Sequence, residues 1–378
     1  MSQITWSDEH HAFRAAFAKF LDTEAVPYHA EWEKKGQVDR AIWTKAGQNG
    51  FLCYTLPEQY GGSGVDFRYT LIAVEEVSRR SLSGLGFGVH SDIVAPYILK
   101  HSISEEQKMR YLPKLASGEM VGAIAMTEPG AGSDLQSIRT TAILDGDHYV
   151  VNGSKTFITN GQHCDLLILV CKTDPTLGAK GVSLLLVEAN TPGFVKGRNL
   201  DKIGMKAQDT SELFFQDMRV PKENLLGEAG KGFGSLMTEL PQERLTIGAG
   251  AISSAEVALE RTLEYTKERK VFGKSVADFQ YNRFKLAEMA TEITIGRSFL
   301  NHCIELHVNR QLDAVTAAKL KWWSTELQNR VIDQCLQMHG GFGYMWEFPI
   351  ARQFADSRVS RIYGGSNEVM KEIIARTL

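Results

Sequence analysis

The sequence predicts an α+β fold, mainly α. It comprises an N-terminal helical domain, a middle β domain of barrel or sandwich type and a C-terminal helical bundle of four-helix type. Three changes of texture predict it: helical spacing from residue 7 to about 118, short β-type runs between turns from about 119, and a strong helical period from about 231. With 378 residues the chain can build three cores, at 1–118, 119–230 and 231–378.

In the first part, apolar residues recur at helical spacing through Phe13, Phe17 and Phe20, then through Leu71, Val74 and Val77. Turns are expected at Gly61-Gly62-Ser63-Gly64 and at Pro113. In the middle part, Ile143-Leu144, Asp145-Gly146 and Tyr149-Val150-Val151 read as a hairpin, because Asp-Gly favours the positive φ of a tight turn. Asn152-Gly153 and Asn160-Gly161 predict further turns, and 166–170, 182–187 and 213–215 are strand candidates. In the last part, Phe279, Leu286, Ile293 and Leu300 fall seven apart, with Ala290 and Ile304 on the adjoining stripe. Leu320, Leu327, Val331, Cys335 and Met338 form a second such face, so an antiparallel bundle is expected.

Composition narrows the function. A net charge of −3 without a long Lys/Arg run argues against nucleic acid as a partner. No apolar run approaches the roughly 18–20 residues needed to span a bilayer. Five scattered cysteines without a C-x-x-C pair read as buried thiols. The ten histidines show no ligand-like spacing, so no metal is expected. G-x-G-x-x-G, P-loop, G-x-S-x-G and H-E-x-x-H motifs do not occur; Gly84-Leu85-Gly86-Phe87-Gly88 comes nearest to the first and has the wrong spacing.

Two segments carry chemistry. In Ala125-Met126-Thr127-Glu128-Pro129-Gly130-Ala131-Gly132-Ser133-Asp134, glycines let backbone amides approach an anion while Thr127 and Ser133 offer hydroxyls; alone it also reads as a strand-ending loop. Gln337-Met338-His339-Gly340-Gly341-Phe342-Gly343-Tyr344, with Glu347, Arg352 and Asp356 behind it, reads alone as a glycine-rich helix end. In this order and separation the pair resembles the two signature segments of the acyl-CoA dehydrogenase family. The resemblance extends through Asn152-Gly153-Ser154-Lys155, Glu268-Arg269-Lys270-Val271-Phe272-Gly273-Lys274 and Tyr363-Gly364-Gly365-Ser366-Asn367-Glu368.

The resemblance implies an FAD site. Met126, Thr127, Gly132 and Ser133 look like ligands of the flavin and its pyrophosphate, with Phe157 and Thr159 beside the ring system, Phe157 standing where many relatives carry Trp. Arg269, Phe272, Gln280, Gln337, Gly340 and Gly341 resemble residues that hold the FAD of a neighbouring subunit, which implies a homo-oligomer, most often a tetramer; Ser366 and Glu368 resemble further cofactor contacts. Ser133, Arg244, Gly364 and Gly365 are the implied substrate contacts.

The implied reaction removes an α-proton from an acyl thioester as a β-hydride leaves for flavin N5, giving the trans-2-enoyl-CoA. Many members place the base directly after the Tyr of the last segment, but here Tyr363 is followed by Gly364, which keeps only a backbone N–H. The long-chain and isovaleryl branches carry the Glu on a bundle helix beside an Arg, and Leu240-Pro241-Gln242-Glu243-Arg244-Leu245 matches that place. Glu243 is therefore the expected base, in a helix that Pro241 tends to kink; alone, Glu243 and Arg244 also read as a solvated ion pair. Glu75, Glu76 and Glu368 are rival carboxylates.

The closest resemblance is to the long-chain branch, with a medium- to long-chain acyl-CoA as substrate, and the small residues at 83–86 would suit a deep acyl tunnel. Electron-transfer flavoprotein is the implied acceptor. A branched-chain dehydrogenase, an oxygen-using oxidase or monooxygenase, and a non-catalytic acyl-CoA-binding protein are the alternatives; oxidases usually carry a further C-terminal domain. Met1 to Glu9 lacks the basic and apolar regions of an export signal, so a bacterial-type cytoplasmic location is expected, or the mitochondrial matrix for a eukaryotic mature chain.

Overall fold

The computed structural model describes residues 4–378; residues 1–3, part of the segment searched for an export signal, lie outside them. Six helices come first: α1 (Asp8–Glu24), α2 (His29–Lys35), α3 (Ala41–Gln48), α4 (Phe67–Arg79), α5 (Ala95–His101) and α6 (Glu105–Ala116). Side chains start several of them. Ser7 and His10 close a capping box on α1, Asp66 accepts from the Arg68 amide, and Ser104 accepts from the Gln107 amide. The face of α1 read from the sequence is the one that packs: Phe17 and Phe20 are buried and the Phe13 and Phe17 rings stack at 5.9 Å. A π-helical turn, Val89–Val94, leads directly into α5.

Pro113 does not make a turn; it lies inside α6. The carbonyl that it deprives of a partner belongs to Met109, whose side chain is 49% exposed, so water is available on that side of the helix.

The middle part holds β1 (Gly122–Ala125), β2 (Thr141–Asp145), β3 (His148–Thr159), β4 (Leu166–Lys172), β5 (Val182–Glu188), β6 (Phe194–Asn199), β7 (Thr210–Pro221) and β8 (Leu225–Leu226). They pair in the order β6-β7-β3-β2-β4-β5-β8, with β1 parallel to β4. Strands from both ends of this path, β7 and β5, share one core through Leu213, Phe215, Leu185 and Val187, so the sheet curls on itself in the barrel-like manner expected. The 143–151 hairpin is present, with Asp145 opposite His148. Asn152-Gly153 is a bulge within β3 and not a turn: the register shifts between Val151 and Gly153. The runs at 166–170 and 182–187 are apolar on both faces, Ser183 apart, because both faces are covered. Leu167 and Leu185 point into the sheet's core, while Ile168 and Leu184 join the core of the N-terminal helices.

After β8 come α7 (Gly232–Glu268), a short hairpin of β9 (Lys270–Val271) and β10 (Lys274–Ser275), then α8 (Gln280–Val308), α9 (Ala314–His339), α10 (Pro349–Ser357) and α11 (Asn367–Ala375). Leu286, Ile293, Leu300 and Ile304 face the bundle core as their spacing predicts, but Ala290 is exposed and Met289 takes the buried place. Gly248 brings α7 close to α9: a Cβ there would stand 2.8 Å from Leu320 Cγ.

The junction between helices and sheet is tight. Arg40 donates to the Gly118 carbonyl at 3.0 Å and the Glu119 carbonyl at 2.6 Å. Gly118 has φ +71° and its missing Cβ would sit 2.2 Å from the Trp43 carbonyl oxygen. A Gly118→Ala variant is expected to lose at least about 2 kcal/mol, because both the left-handed backbone and the contact with a backbone atom resist a methyl group. Thermal unfolding should start several degrees lower; an unchanged melting curve would refute this account.

Candidate functional site

The loop after β1 is pinned from beneath. Lys155, fully buried on β3, donates to the Met126 carbonyl at 2.9 Å and to Glu128 Oε1 at 2.8 Å. Glu128 also accepts from the Arg139 amide at 2.6 Å and the Thr140 amide at 3.0 Å, and the Thr156 amide bonds the Thr127 carbonyl at 3.0 Å. Burial pushes the Glu128 carboxyl up, but the Lys155 charge and these bonds outweigh it and hold it below its usual range. Above this base, Met126 and Thr127 are half-buried, while Gly132 and Ser133 are exposed. A Cβ on Gly130 or Gly132 would meet nothing within 4 Å, so no protein packing requires those glycines.

Nearby on β3, Phe157 is 66% exposed at φ +60°, in the irregular stretch between Lys155 and Ile158. A bulky side chain held outward on a disfavoured backbone is unusual enough to mark a ligand surface. Thr159, half-buried, closes β3 opposite Thr210. An exposed ring beside an open glycine loop on a rigid base fits a flavin and its pyrophosphate.

The second cluster lies where α7 passes beneath α5. Glu243 is 7% exposed and accepts a hydrogen bond from the Tyr97 hydroxyl at 3.0 Å. Burial pushes its carboxyl up to about 7, against the pull of Tyr97 and Arg244; Glu239, one turn earlier, adds to the rise. Glu239 is itself paired with Lys100 at 2.6 Å and hydrogen-bonded to His101 at 3.0 Å. Glu243 and Arg244 are thus both buried, which excludes the solvated ion pair.

Arg244 Nε reaches the Gly364 carbonyl at 3.4 Å, and buried Lys321 on α9 donates to the Gly365 carbonyl at 2.8 Å and to Asn367 Oδ1 at 2.9 Å. These bonds hold a turn in which Gly364 (φ +64°) and Gly365 (φ +88°) are both left-handed. A Cβ on Gly364 would point at Ile247 Cδ1, 2.4 Å away and one helical turn beyond Glu243. The Gly364 turn therefore packs on α7 at Arg244 and Ile247, the residues that flank this turn of the helix after Glu243.

The remaining candidates divide. Arg269, Gln337, Gly340 and Gly341 line a cleft of about 930 Å³ between the end of α7, α8 and α9, in which no residue of the 126–133 loop takes part. Arg269 lies over the Phe342 ring at 5.6 Å. Phe272 and Gln280 are not among the lining residues; Phe272 is 96% exposed on the β9–β10 hairpin and Gln280 opens α8. Ser366 caps α11 by accepting from the Val369 amide, and Glu368 is exposed in its first turn. Of the rival carboxylates, Glu75 and Glu76 are held by Arg14, with Arg297 on the first and Arg80 on the second.

Three family models cover most of the chain: the acyl-CoA dehydrogenase N-terminal domain over residues 7–119, the middle domain over 123–218 and the C-terminal domain over 230–378. The chain belongs to the acyl-CoA dehydrogenase family. It is 51% identical over 375 residues to the long-chain specific acyl-CoA dehydrogenase of Sus scrofa mitochondria, covering 99% of this chain and 87% of that one. A crystal structure of an acyl-CoA dehydrogenase from Geobacillus kaustophilus superposes with a TM-score of 0.97 at 52% identity, over 100% of this chain and 99% of that one. A glutaryl-CoA dehydrogenase from Mycobacterium smegmatis, solved in complex with FADH2, superposes with a TM-score of 0.91 at 27% identity, over 98% and 95%.

As in the rest of this acyl-CoA dehydrogenase family, the cofactor is FAD. No described helix is long and apolar enough to cross a membrane, and no group of three metal-ligating side chains is found among the described residues. The small residues at 83–86 answer to packing. A Cβ on Gly84 would stand 2.4 Å from Ala207 Cβ, and one on Gly86 would stand 1.8 Å from Asn160 Oδ1, so these glycines seat the helices on the sheet and give no measure of a tunnel. Sequence reasoning passed over Tyr97, Glu239 and Lys321, since a lone Tyr, Glu or Lys on a helix carries no local signal of burial.

Removing the loop's support has a measurable outcome. Lys155→Met leaves the Glu128 carboxylate buried and unpaired, and is expected to cost about 3–5 kcal/mol and to release FAD more readily on dilution. Adding Glu128→Gln to that variant should recover part of the stability; no recovery would refute the pairing account.

Proposed function

We propose that the protein oxidises the α–β carbon bond of a medium- to long-chain acyl-CoA, with Glu243 removing the α-proton. The observation that carries this reading is the buried Glu243 carboxyl, lifted to about 7 and bonded by Tyr97, beside an Arg244 that reaches the Gly364 carbonyl. A carboxylate takes up a weakly acidic carbon-bound proton best from a dry site, where its proton affinity is high. At position 364, from which many relatives supply the base, this chain has no side chain, and Ile247, one turn beyond Glu243 on the same helix, packs where a Cβ would stand.

Bound FAD supplies the acceptor for the β-hydride. The chain's own part is to orient and to hold charge. Arg244 and Lys321 fix the Gly364-Gly365 turn through its carbonyls, which leaves the backbone N–H groups of that turn as candidates to stabilise the enolate-like thioester oxygen. Thr127, Ser133, Phe157 and Thr159 are assigned to the flavin and its pyrophosphate, with Met126, Gly132, Ser366 and Glu368 around them. Arg269, Phe272, Gln280, Gln337, Gly340 and Gly341 are assigned to the FAD of a neighbouring subunit in a homotetramer. The separation of the Arg269 cleft from the 126–133 loop within one chain supports that division. Electron-transfer flavoprotein is the acceptor assigned to the reduced enzyme, within fatty acid β-oxidation.

Glu243→Gln should still bind acyl-CoA while flavin bleaching slows by about 10²–10⁴-fold. Bleaching at the wild-type rate would remove Glu243 from the reaction. Because a protonated carboxyl cannot take the α-proton, kcat/KM should rise with pH through about 7 and level off above it. A profile flat from acid to neutral pH would contradict the assignment. Turnover compared across short-, medium- and long-chain acyl-CoAs, straight and branched, tests the substrate class.

A further inference from the structure

The base is met by a hydroxyl from another part of the chain, and the backbone that aims it is irregular for an identifiable reason. Pro96 lacks an N–H and so cannot bond the carbonyl four residues earlier, that of Asp92. The chain answers with the π-turn Val89–Val94, and Gln242 Nε2 on α7 supplies the missing donor to the Asp92 carbonyl at 2.7 Å. A wider turn changes the helical phase downstream, by up to about 100° for one added residue, and so decides which way Tyr97 points. It points at Glu243: the hydroxyl lies 3.0 Å from Oε1, and Tyr97 is fully buried.

We propose that Tyr97 is a positioning residue for the base, its hydroxyl aimed by the Gln242-clamped π-turn so that it donates to Glu243 Oε1 and favours the ionised carboxylate. This inference rests on the reading of Glu243 as the base.

The groups around Glu243 leave this role to Tyr97. On α5, Lys100 and His101 are both engaged by Glu239, and on the π-turn Asp92 accepts from Thr70 at 2.8 Å. On α7, Arg244 turns its Nε to the Gly364 carbonyl, and on α9 Lys321 is taken up by Gly365 and Asn367. Among the described residues, Tyr97 is the hydrogen-bond donor found on Glu243. Burial lifts the carboxyl and the Tyr97 bond pulls it back, so the hydroxyl keeps the base usable near neutrality. Burial and the neighbouring Glu243 charge raise the phenol's own pKa well above its ordinary value, so it remains a donor.

The test compares Tyr97→Phe, Glu243→Gln and Gln242→Leu holoenzymes. In Tyr97→Phe the midpoint of the rise of kcat/KM with pH should move up by about one unit, so the rate one unit below the wild-type midpoint falls about tenfold while the alkaline plateau stays within about twofold. The infrared titration of the carboxyl, identified by its loss in Glu243→Gln, should move by the same amount. Gln242→Leu should shift the midpoint in the same direction, and the double variant no further than Tyr97→Phe alone. An unmoved midpoint in Tyr97→Phe, or a loss equal at every pH, with Glu243→Gln inactive, overturns this inference and leaves the base standing. Full additivity in the double variant overturns the clamp. An active Glu243→Gln overturns the reading beneath both.

Discussion

Keeping a carboxyl dry at the crossing of α5 and α7 is the constraint on which the rest of the structure depends. Glu243 sits in the longest helix of the bundle, yet what covers it comes from the N-terminal helices: Tyr97 bonds it, and Lys100 and His101 engage Glu239 one turn away. A carboxyl buried with one neutral donor keeps a high proton affinity; one flanked by free lysines would lose it. The pairing of Lys100 and His101 with Glu239 therefore matters as much as the bond from Tyr97. It directs the Lys100 charge and the His101 ring to a different acid.

The irregular backbone around this crossing follows from the same demand. Two prolines, Pro96 in the first turn of α5 and Pro241 inside α7, stand within the two helices near their contact, and each removes an amide donor. At Pro96 the freed carbonyl of Asp92 is taken up by Gln242, the residue that follows Pro241 and precedes Glu243. One side chain thus ties the π-turn to the helix carrying Glu243. On the far side, Lys321 and Arg244 anchor the Gly364-Gly365 turn. The carboxyl is bracketed by two tethered pieces of backbone.

The surface proposed for the flavin uses a different device. Beneath the 126–133 loop, the buried Lys155–Glu128 pair spans from β3 to the loop and collects the Arg139 and Thr140 amides. Such a pair contributes little net stability against an apolar pair of the same volume, but breaking either half is costly, so it fixes the loop's position. Above it, the glycines and Phe157 are left bare. Rigid below and open above is what a loop requires in order to meet a large ligand without rearranging.

The sequence by itself determined the succession of helix, sheet and bundle, because periods of 3.6 and 2 are local properties of the chain. Largely apolar runs at 166–170 and 182–187 marked strands covered on both faces, and the two glycine-rich segments with their intervening blocks carried the family resemblance. Local chemistry misjudged Pro113, Asn152-Gly153 and Ala290, whose settings depend on solvent exposure, a strand register and the choice of a neighbouring helix. Only tertiary structure decided that Glu243 and Arg244 are buried, that Gly364 faces Ile247, and that Gly84 and Gly86 serve the contact with the sheet. It alone brought Tyr97 to a carboxyl 146 residues away. Desolvation and long-range hydrogen bonds depend on what the rest of the chain places around a residue, and no spacing within a single helix records that.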